Sequence, residues 1–162
     1  NRTNWDKFLK AILKIRELRS DFKVYFTDPN NSMPKELKTN LKDWVYTIPK
    51  NRVEFLNLLS KTDIVVSLMD VEGFGGISIR EALIFGNMPI IPYVHEYKKM
   101  AKNSYNGFVA SPIKTNELAE KINWAIDEVK LGNKQQWIDN GKYFSVENQF
   151  KKIKYEIERM FD

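Results

Sequence analysis

Asp63-Ile64-Val65-Val66-Ser67 opens the segment that is most informative about the fold. Gly73-Phe74-Gly75-Gly76 and then residues 77–85 complete this segment. Its first part is a short apolar strand, and its last part has the apolar spacing of a helix. Glycines between the two let the backbone approach a ligand closely. A helix that begins after such a loop offers free N–H groups and the positive end of its dipole to an anion. The stretch therefore predicts a phosphate site between a strand and a helix.

Two glutamates, Glu72 and Glu81, bracket this glycine loop. Carboxylates accept hydrogen bonds and repel phosphate, so we expect them to bind hydroxyl groups of a molecule that also carries the phosphate. A nucleotide sugar supplies both kinds of group. Helical side chains point back toward the N-terminus of their helix, which directs Glu81 toward the loop. The alternative is that Glu81 is one charge on a solvated helix face beside Arg80.

Composition bounds the class of protein. The chain has 162 residues, of which 43% are hydrophobic, enough for one domain with its own core. It has no cysteine, and no apolar run approaches the roughly 20 residues of a membrane span, so we expect a cytoplasmic protein. The net charge of +5 is too small to indicate nucleic acid, anionic lipid or a phosphorylated substrate by itself. Because Asn1 stands where an initiator methionine would, we expect the chain to be a piece of a longer protein.

Helices and short apolar strands alternate along the chain. The predicted helices are residues 5–18, 33–41, 52–60, 77–85, 95–102, 116–131, 135–143 and 146–160, and the predicted strands are residues 22–27, 44–48, 63–67, 89–91 and 107–109. This alternation predicts an α/β fold, a Rossmann-like, doubly wound parallel sheet flanked by helices. Ligands of such sheets bind beyond the carboxyl ends of the strands. Residues 27–28, 47–49 and 93–95 should therefore lie near the glycine loop.

The order of these motifs resembles the C-terminal, donor-binding half of a GT-B retaining glycosyltransferase, of the group 1 or family 4 type. The similarity is carried by the strand and loop above and by Glu81-Ala82, Gly86-Asn87-Met88-Pro89-Ile90-Ile91, Asn106-Gly107-Phe108-Val109 and Glu117-Leu118-Ala119-Glu120. It implies that residues 1–162 form a single nucleotide-sugar binding domain. It also implies that residues 145–162 are a helix that crosses back to a missing N-terminal acceptor domain.

The resemblance assigns roles to individual residues. Glu72 matches the first glutamate of the family's Glu-x7-Glu signature, which holds donor-sugar hydroxyls at the catalytic centre, and Glu81 matches the second, which binds the ribose. The backbone at the start of the helix would contact the diphosphate, and two basic side chains match the family's phosphate-binding arginine and lysine. These donor-binding residues are Phe74, Gly75, Gly76, Ile77, Arg2 and Lys7, although Phe8 follows Lys7 where the family usually has glycine.

Eight residues, 73–80, separate the two glutamates, one more than in the signature. A bulge at the extra glycine would leave Glu72 on the sugar, which we favour, whereas a displaced Glu72 would lose that role. Thr47 and Ile48 are expected to form a wall for the nucleotide base. His95, the one histidine, either contacts the donor or is an ordinary loop residue. Asp70 with Glu72 could suggest a metal, but the resemblance implies none, and no other cofactor is expected.

The resemblance implies an enzyme that moves a hexose from a nucleoside diphosphate to an unknown acceptor, which could be a sugar, a lipid or a protein. The expected partners are the nucleotide-sugar donor and the missing domain; no nucleic acid is expected, and contact with a membrane surface stays open. On its own the piece should bind nucleotide with little or no activity. The alternatives are a GT-B sugar-nucleotide epimerase and a degenerate, non-catalytic nucleotide-binding or structural domain.

Overall fold

The computed structural model describes residues 4–27, 43–48, 51–69, 77–94, 97–98, 100–101, 105–133 and 137, and only the backbone of Thr27, Thr47 and Ile48. The helices are α1 (Trp5–Leu18), α2 (Arg52–Leu59), α3 (Ile77–Ile84) and α4 (Thr115–Lys130). The strands are β1 (Val24–Thr27), β2 (Val45–Ile48), β3 (Ile64–Val66), β4 (Met88–Pro92) and β5 (Phe108–Val109). The predicted helices at 33–41 and 146–160, most of that at 135–143, and the glycine loop lie outside the described residues.

All described strand pairs are parallel, as the alternation predicted. β1 pairs with β2, and β4 pairs with β3 on one side and β5 on the other. Every residue of β4 is buried, because this strand has a partner along each edge and helices against its faces. Its continuous apolar sequence follows from that position. The predicted parallel α/β architecture is confirmed.

The described strands form two groups rather than one continuous sheet. No backbone pairing joins β1 to β3, and a cavity of about 680 Å³ is lined by residues of both strands. Trp5, Phe8 and Ile12 of α1 also line it. As a consequence, all three residues of β3 are only half-buried, unlike those of β4. The sequence predicted a single sheet, and apolar strand composition alone does not show which edges are joined.

Helix α1 packs against α4, and both helices contribute buried residues to the core. The buried residues of α1 are Ala11, Ile12 and Ile15, and those of α4 are Leu118, Ala119, Ile122, Ala125 and Ile126. This three- and four-residue spacing is the periodicity that predicted both helices. At the end of the pair, Arg19 donates hydrogen bonds to Asn123 at 3.0 Å and Asp127 at 2.6 Å. The polar contacts fix where α1 ends relative to α4.

The turn from α3 to β4 is held by one buried amide. Gly86 has a φ of 76°, the left-handed conformation that ends α3, and Asn87 follows with no exposed surface. The Asn87 side chain donates to the carbonyl oxygens of Leu59 at 2.8 Å and Ala82 at 3.0 Å, and it accepts from Thr62 Oγ1 at 3.0 Å. The end of α2 and the end of α3 are thereby fixed to each other.

The described part of the helix predicted over residues 95–102 is residues 97–98 and 100–101, and it is not α-helical. Tyr97 and Lys98 lie in a 3₁₀ turn, and Met100 and Ala101 are in a turn and a bend. The Tyr97 N–H donates to Val94, and the Met100 N–H donates to Tyr97, each at 3.0 Å and each three residues back. An α-helix requires donation four residues back, so the prediction of a regular helix is wrong among these residues.

Candidate functional site

Helices α1, α2 and α3 begin at the edge of the molecule where the parallel strands end. Helix α2 starts four residues after β2, and α3 follows β3 along the chain. The start of α1 reaches the same edge, because the buried Asn4 side chain donates to the Leu68 carbonyl at 2.9 Å, just beyond β3. Each helix start brings unpaired N–H groups and a positive dipole end. This edge is therefore suited to bind an anion.

An ion pair between α2 and α3 lies at this edge. Arg52 Nη1 donates to Glu81 Oε2 at 2.9 Å, and Nη2 donates to Glu81 Oε1, so both nitrogens of the guanidinium fork bind the carboxylate. Arg52 is the first residue of α2, and Glu81 lies one turn into α3. The contact connects the segment after β2 with the helix after β3.

The two members of this pair differ in exposure. The Glu81 side chain is 19% exposed, whereas that of Arg52 is 60% exposed. The Arg52 guanidinium also lies 5.8 Å from the centre of the Phe55 ring, one turn along α2. Its pKa is raised above the ordinary value by the hydrogen bonds that it donates to Glu81 and by the charge of that carboxylate. The carboxylate is thus held in a fixed orientation by a permanently charged partner.

A second polar contact at the same edge joins Ser67 to Tyr97. Their hydroxyl oxygens are 2.9 Å apart, and either can donate. Ser67 follows the last residue of β3, and Tyr97 is almost fully buried in the 3₁₀ turn after β4. This hydrogen bond fixes the segment after β4 against the end of β3. The sequence placed Ser67 at the end of a strand, which indicated a position near the site, but nothing in the sequence marked Tyr97 as its hydrogen-bond partner.

The structure describes only part of the predicted site. Ile77 is the first residue of α3 and is 56% exposed. Thr47 and Ile48 end β2, opposite Phe26 and Thr27 of β1. Lys7 lies half-buried in the first turn of α1. Arg2, Asp70, Glu72, Phe74, Gly75, Gly76 and His95 lie outside the described residues. The ligand-binding roles of all these residues stay predictions.

Glu81 is less exposed than it would be under the alternative, in which it is one charge on a solvated helix face beside Arg80. Its carboxylate is largely covered and is bound by Arg52, 29 residues earlier in the chain. Sequence reasoning did not single out Arg52, since a partner at that separation leaves no local spacing signal.

Among the described residues, no three histidine or acidic side chains lie close enough together to hold a metal ion. None of the described helices has the length and apolar character that crossing a membrane requires.

Comparisons with solved structures find the same fold in several glycosyltransferases. WaaG, a glycosyltransferase involved in lipopolysaccharide biosynthesis, is 17% identical over 88% of this chain, with a TM-score of 0.68. The catalytic domain of cholesterol-α-glucosyltransferase from Helicobacter pylori is 20% identical over 89% of this chain, with a TM-score of 0.69. A glycosyltransferase from Rickettsia africae ESF-5 is 19% identical over 100% of this chain, with a TM-score of 0.75.

The lengths of these proteins differ. The chain covers 39% of the WaaG chain, 45% of the Rickettsia chain and 90% of the Helicobacter domain. No curated protein sequence matches it. At these identities the structural matches establish the fold alone, which is that of part of a GT-B glycosyltransferase. The model of the family described as glycosyl transferases group 1 matches residues 1–144. Since that match covers most of the chain, the chain belongs to the group 1 family of glycosyltransferases.

Proposed function

We propose that this chain binds a nucleoside-diphosphate sugar and forms the donor half of a retaining hexosyltransferase. The observation that carries the proposal is the oriented Glu81 carboxylate, which lies at the strand-end edge within one turn of the α3 N-terminus. A helix start favours phosphate, and a carboxylate favours hydroxyls. The donor ribose and diphosphate present these two groups side by side.

In this proposal the chain contributes electrostatics and orientation. The diphosphate leaves with growing negative charge, which the start of α3 and the predicted phosphate ligands Arg2 and Lys7 would stabilise. Glu81 would bind the ribose, Thr47 and Ile48 would contact the base, and Glu72 would hold the sugar in line for transfer. His95 would contact the donor near the end of β4. Neither a metal nor another cofactor is part of this proposal.

The acceptor would bind to another domain across a cleft. Two of the similar structures are named for lipopolysaccharide biosynthesis and for cholesterol, so a lipid-linked acceptor at a cytoplasmic membrane surface is consistent with the proposal. The chain carries a net charge of +5, which favours an anionic surface weakly. The epimerase alternative keeps the donor site and changes the product, whereas a degenerate domain would bind nucleotide without forming product or would not bind it.

Calorimetric titration with UDP, GDP and ADP, each alone and as its common sugar conjugates, tests the proposal. We expect selective binding of one nucleotide and weaker binding by Glu81→Gln. Glu17→Gln is the matched control, because Glu17 is an exposed glutamate near the C-terminal end of α1, the helix whose start lies at the strand-end edge. Absence of binding by every nucleotide, or equal losses in the two variants, would contradict the proposal. Product analysis with the bound donor then separates transfer from epimerisation.

A further inference from the structure

We propose that Arg52 is a positioning residue for the donor ribose, acting by holding the Glu81 carboxylate in the orientation that receives the ribose hydroxyls. This inference rests on the proposed function and adds to it a residue that neither the glycine loop nor the glutamate signature contains. The position of Arg52 is fixed because it is the first residue of α2. Asn51 caps α2 by accepting a hydrogen bond from the Val53 N–H at 2.9 Å, which fixes the helix start from which Arg52 extends.

Two-point contact determines what Arg52 does to Glu81. The guanidinium is planar and binds both carboxylate oxygens, so it fixes the plane of the carboxylate as well as its position. A single donor would leave the carboxylate free to rotate. The Phe55 ring, 5.8 Å from the guanidinium carbon, supports the arginine from its own helix. The orientation of Glu81 is therefore set before a ligand arrives.

The pair leaves Glu81 able to bind a ligand. An ionised carboxylate has about four acceptor positions, and the two Arg52 nitrogens use one on each oxygen. The remaining positions can accept hydrogen bonds from the two adjacent hydroxyls of a ribose. A freely rotating glutamate side chain would lose up to roughly 2 kcal/mol of conformational entropy on binding, and Arg52 removes much of that loss in advance.

This mechanism predicts a loss that depends on the ribose hydroxyls. We expect Arg52→Ala to weaken binding of the preferred ribonucleoside diphosphate about tenfold, and to leave binding of its 2′,3′-dideoxy form unchanged. Arg52→Lys should restore binding only in part, because an ammonium group is a point charge and cannot fix the carboxylate plane. Lys10→Ala, at an exposed position on α1, is the control for loss of one positive charge and should bind as the unmodified protein does.

A double variant separates positioning from direct contact. If Arg52 acts through Glu81, then adding Arg52→Ala to Glu81→Gln should cause no further loss of affinity. A further loss in the double variant, or an equal loss for the ribonucleotide and its dideoxy form, would overturn the inference and indicate a contact with phosphate. Unchanged ribonucleotide binding by Arg52→Ala would also overturn it while leaving the proposed function intact. Absence of nucleotide binding by the unmodified protein would overturn both. Thermal unfolding of each variant checks that it folds.

Discussion

Replacement of Asn87 by alanine should destabilise the protein more than any exposed asparagine replacement. Asn87 has no exposed surface, and its side chain makes three hydrogen bonds, to Leu59, Ala82 and Thr62. A buried hydrogen bond contributes about 1 kcal/mol net, so the loss of all three should lower the free energy of unfolding by about 3 kcal/mol. For a protein of this size that corresponds to a fall in Tm of about 6–12 °C.

Urea and thermal unfolding followed by circular dichroism measure this change. Asn57→Ala is the matched control, because Asn57 is exposed on α2, and its replacement should change stability by less than about 0.5 kcal/mol. A loss below about 1 kcal/mol for Asn87→Ala would mean that these hydrogen bonds do not hold the turn between α3 and β4. Since Asn87 fixes the ends of α2 and α3 to each other, the same variant should also weaken nucleotide binding through the helices that carry Arg52 and Glu81.

Two further predictions concern the packing around β4 and β5. A Cβ at Gly107 would lie 2.6 Å from the Pro89 backbone oxygen and against the Tyr105 ring. Gly107→Ala should therefore lower the free energy of unfolding, measured by urea titration, by about 2–3 kcal/mol. A variant as stable as the unmodified protein would contradict this packing. Burial raises the pKa of Tyr105 well above its ordinary value of 10.0, which means that the folded state favours the neutral hydroxyl. The stability from this group is complete below pH 10.0 and is lost as the pH rises above it. Between about pH 9 and 11, the free energy of unfolding should therefore fall less for Tyr105→Phe than for the unmodified protein. An equal fall in the two proteins would contradict this role of Tyr105.

The positions of the helices and strands were largely predictable from the sequence. The predicted helix at residues 5–18 coincides with α1, and the predicted helix at 116–131 differs from α4 by one residue at each end. These are long elements with a strong apolar periodicity, which is a local property. The predicted helix at residues 77–85 extends one residue beyond α3, and Gly86 follows in the left-handed conformation that ends the helix.

The contacts that arrange the site could not be predicted in the same way. Asn87 was noted only as part of a motif, but it connects segments 28 residues apart through Leu59. Arg52 and Glu81 are 29 residues apart, and Ser67 and Tyr97 are 30 residues apart. Such pairs depend on how α2, α3 and the strand ends come together in space. A single sequence contains no spacing rule that relates them.

The division of the strands into two groups has a similar cause. β1 and β3 have apolar sequences that suit pairing on both edges, and the sequence therefore predicted one sheet. The structure instead places a cavity of about 680 Å³ where residues of the two strands face each other. Apolar composition favours the burial of a strand, whereas edge pairing is decided by the neighbours that the fold brings to it.

Mapping the bound nucleotide on the chain shows whether the donor binds at the strand-end edge. Amide and arginine side-chain chemical shifts of ¹⁵N-labelled protein would be recorded during titration with the nucleoside diphosphate that binds best. We expect the largest changes at Ile77, at Glu81, at the Arg52 side chain and at the end of β2, all on the strand-end edge. Changes confined to the opposite edge, around Asp63 and Met88 where β3 and β4 begin, would contradict donor binding at the strand-end edge.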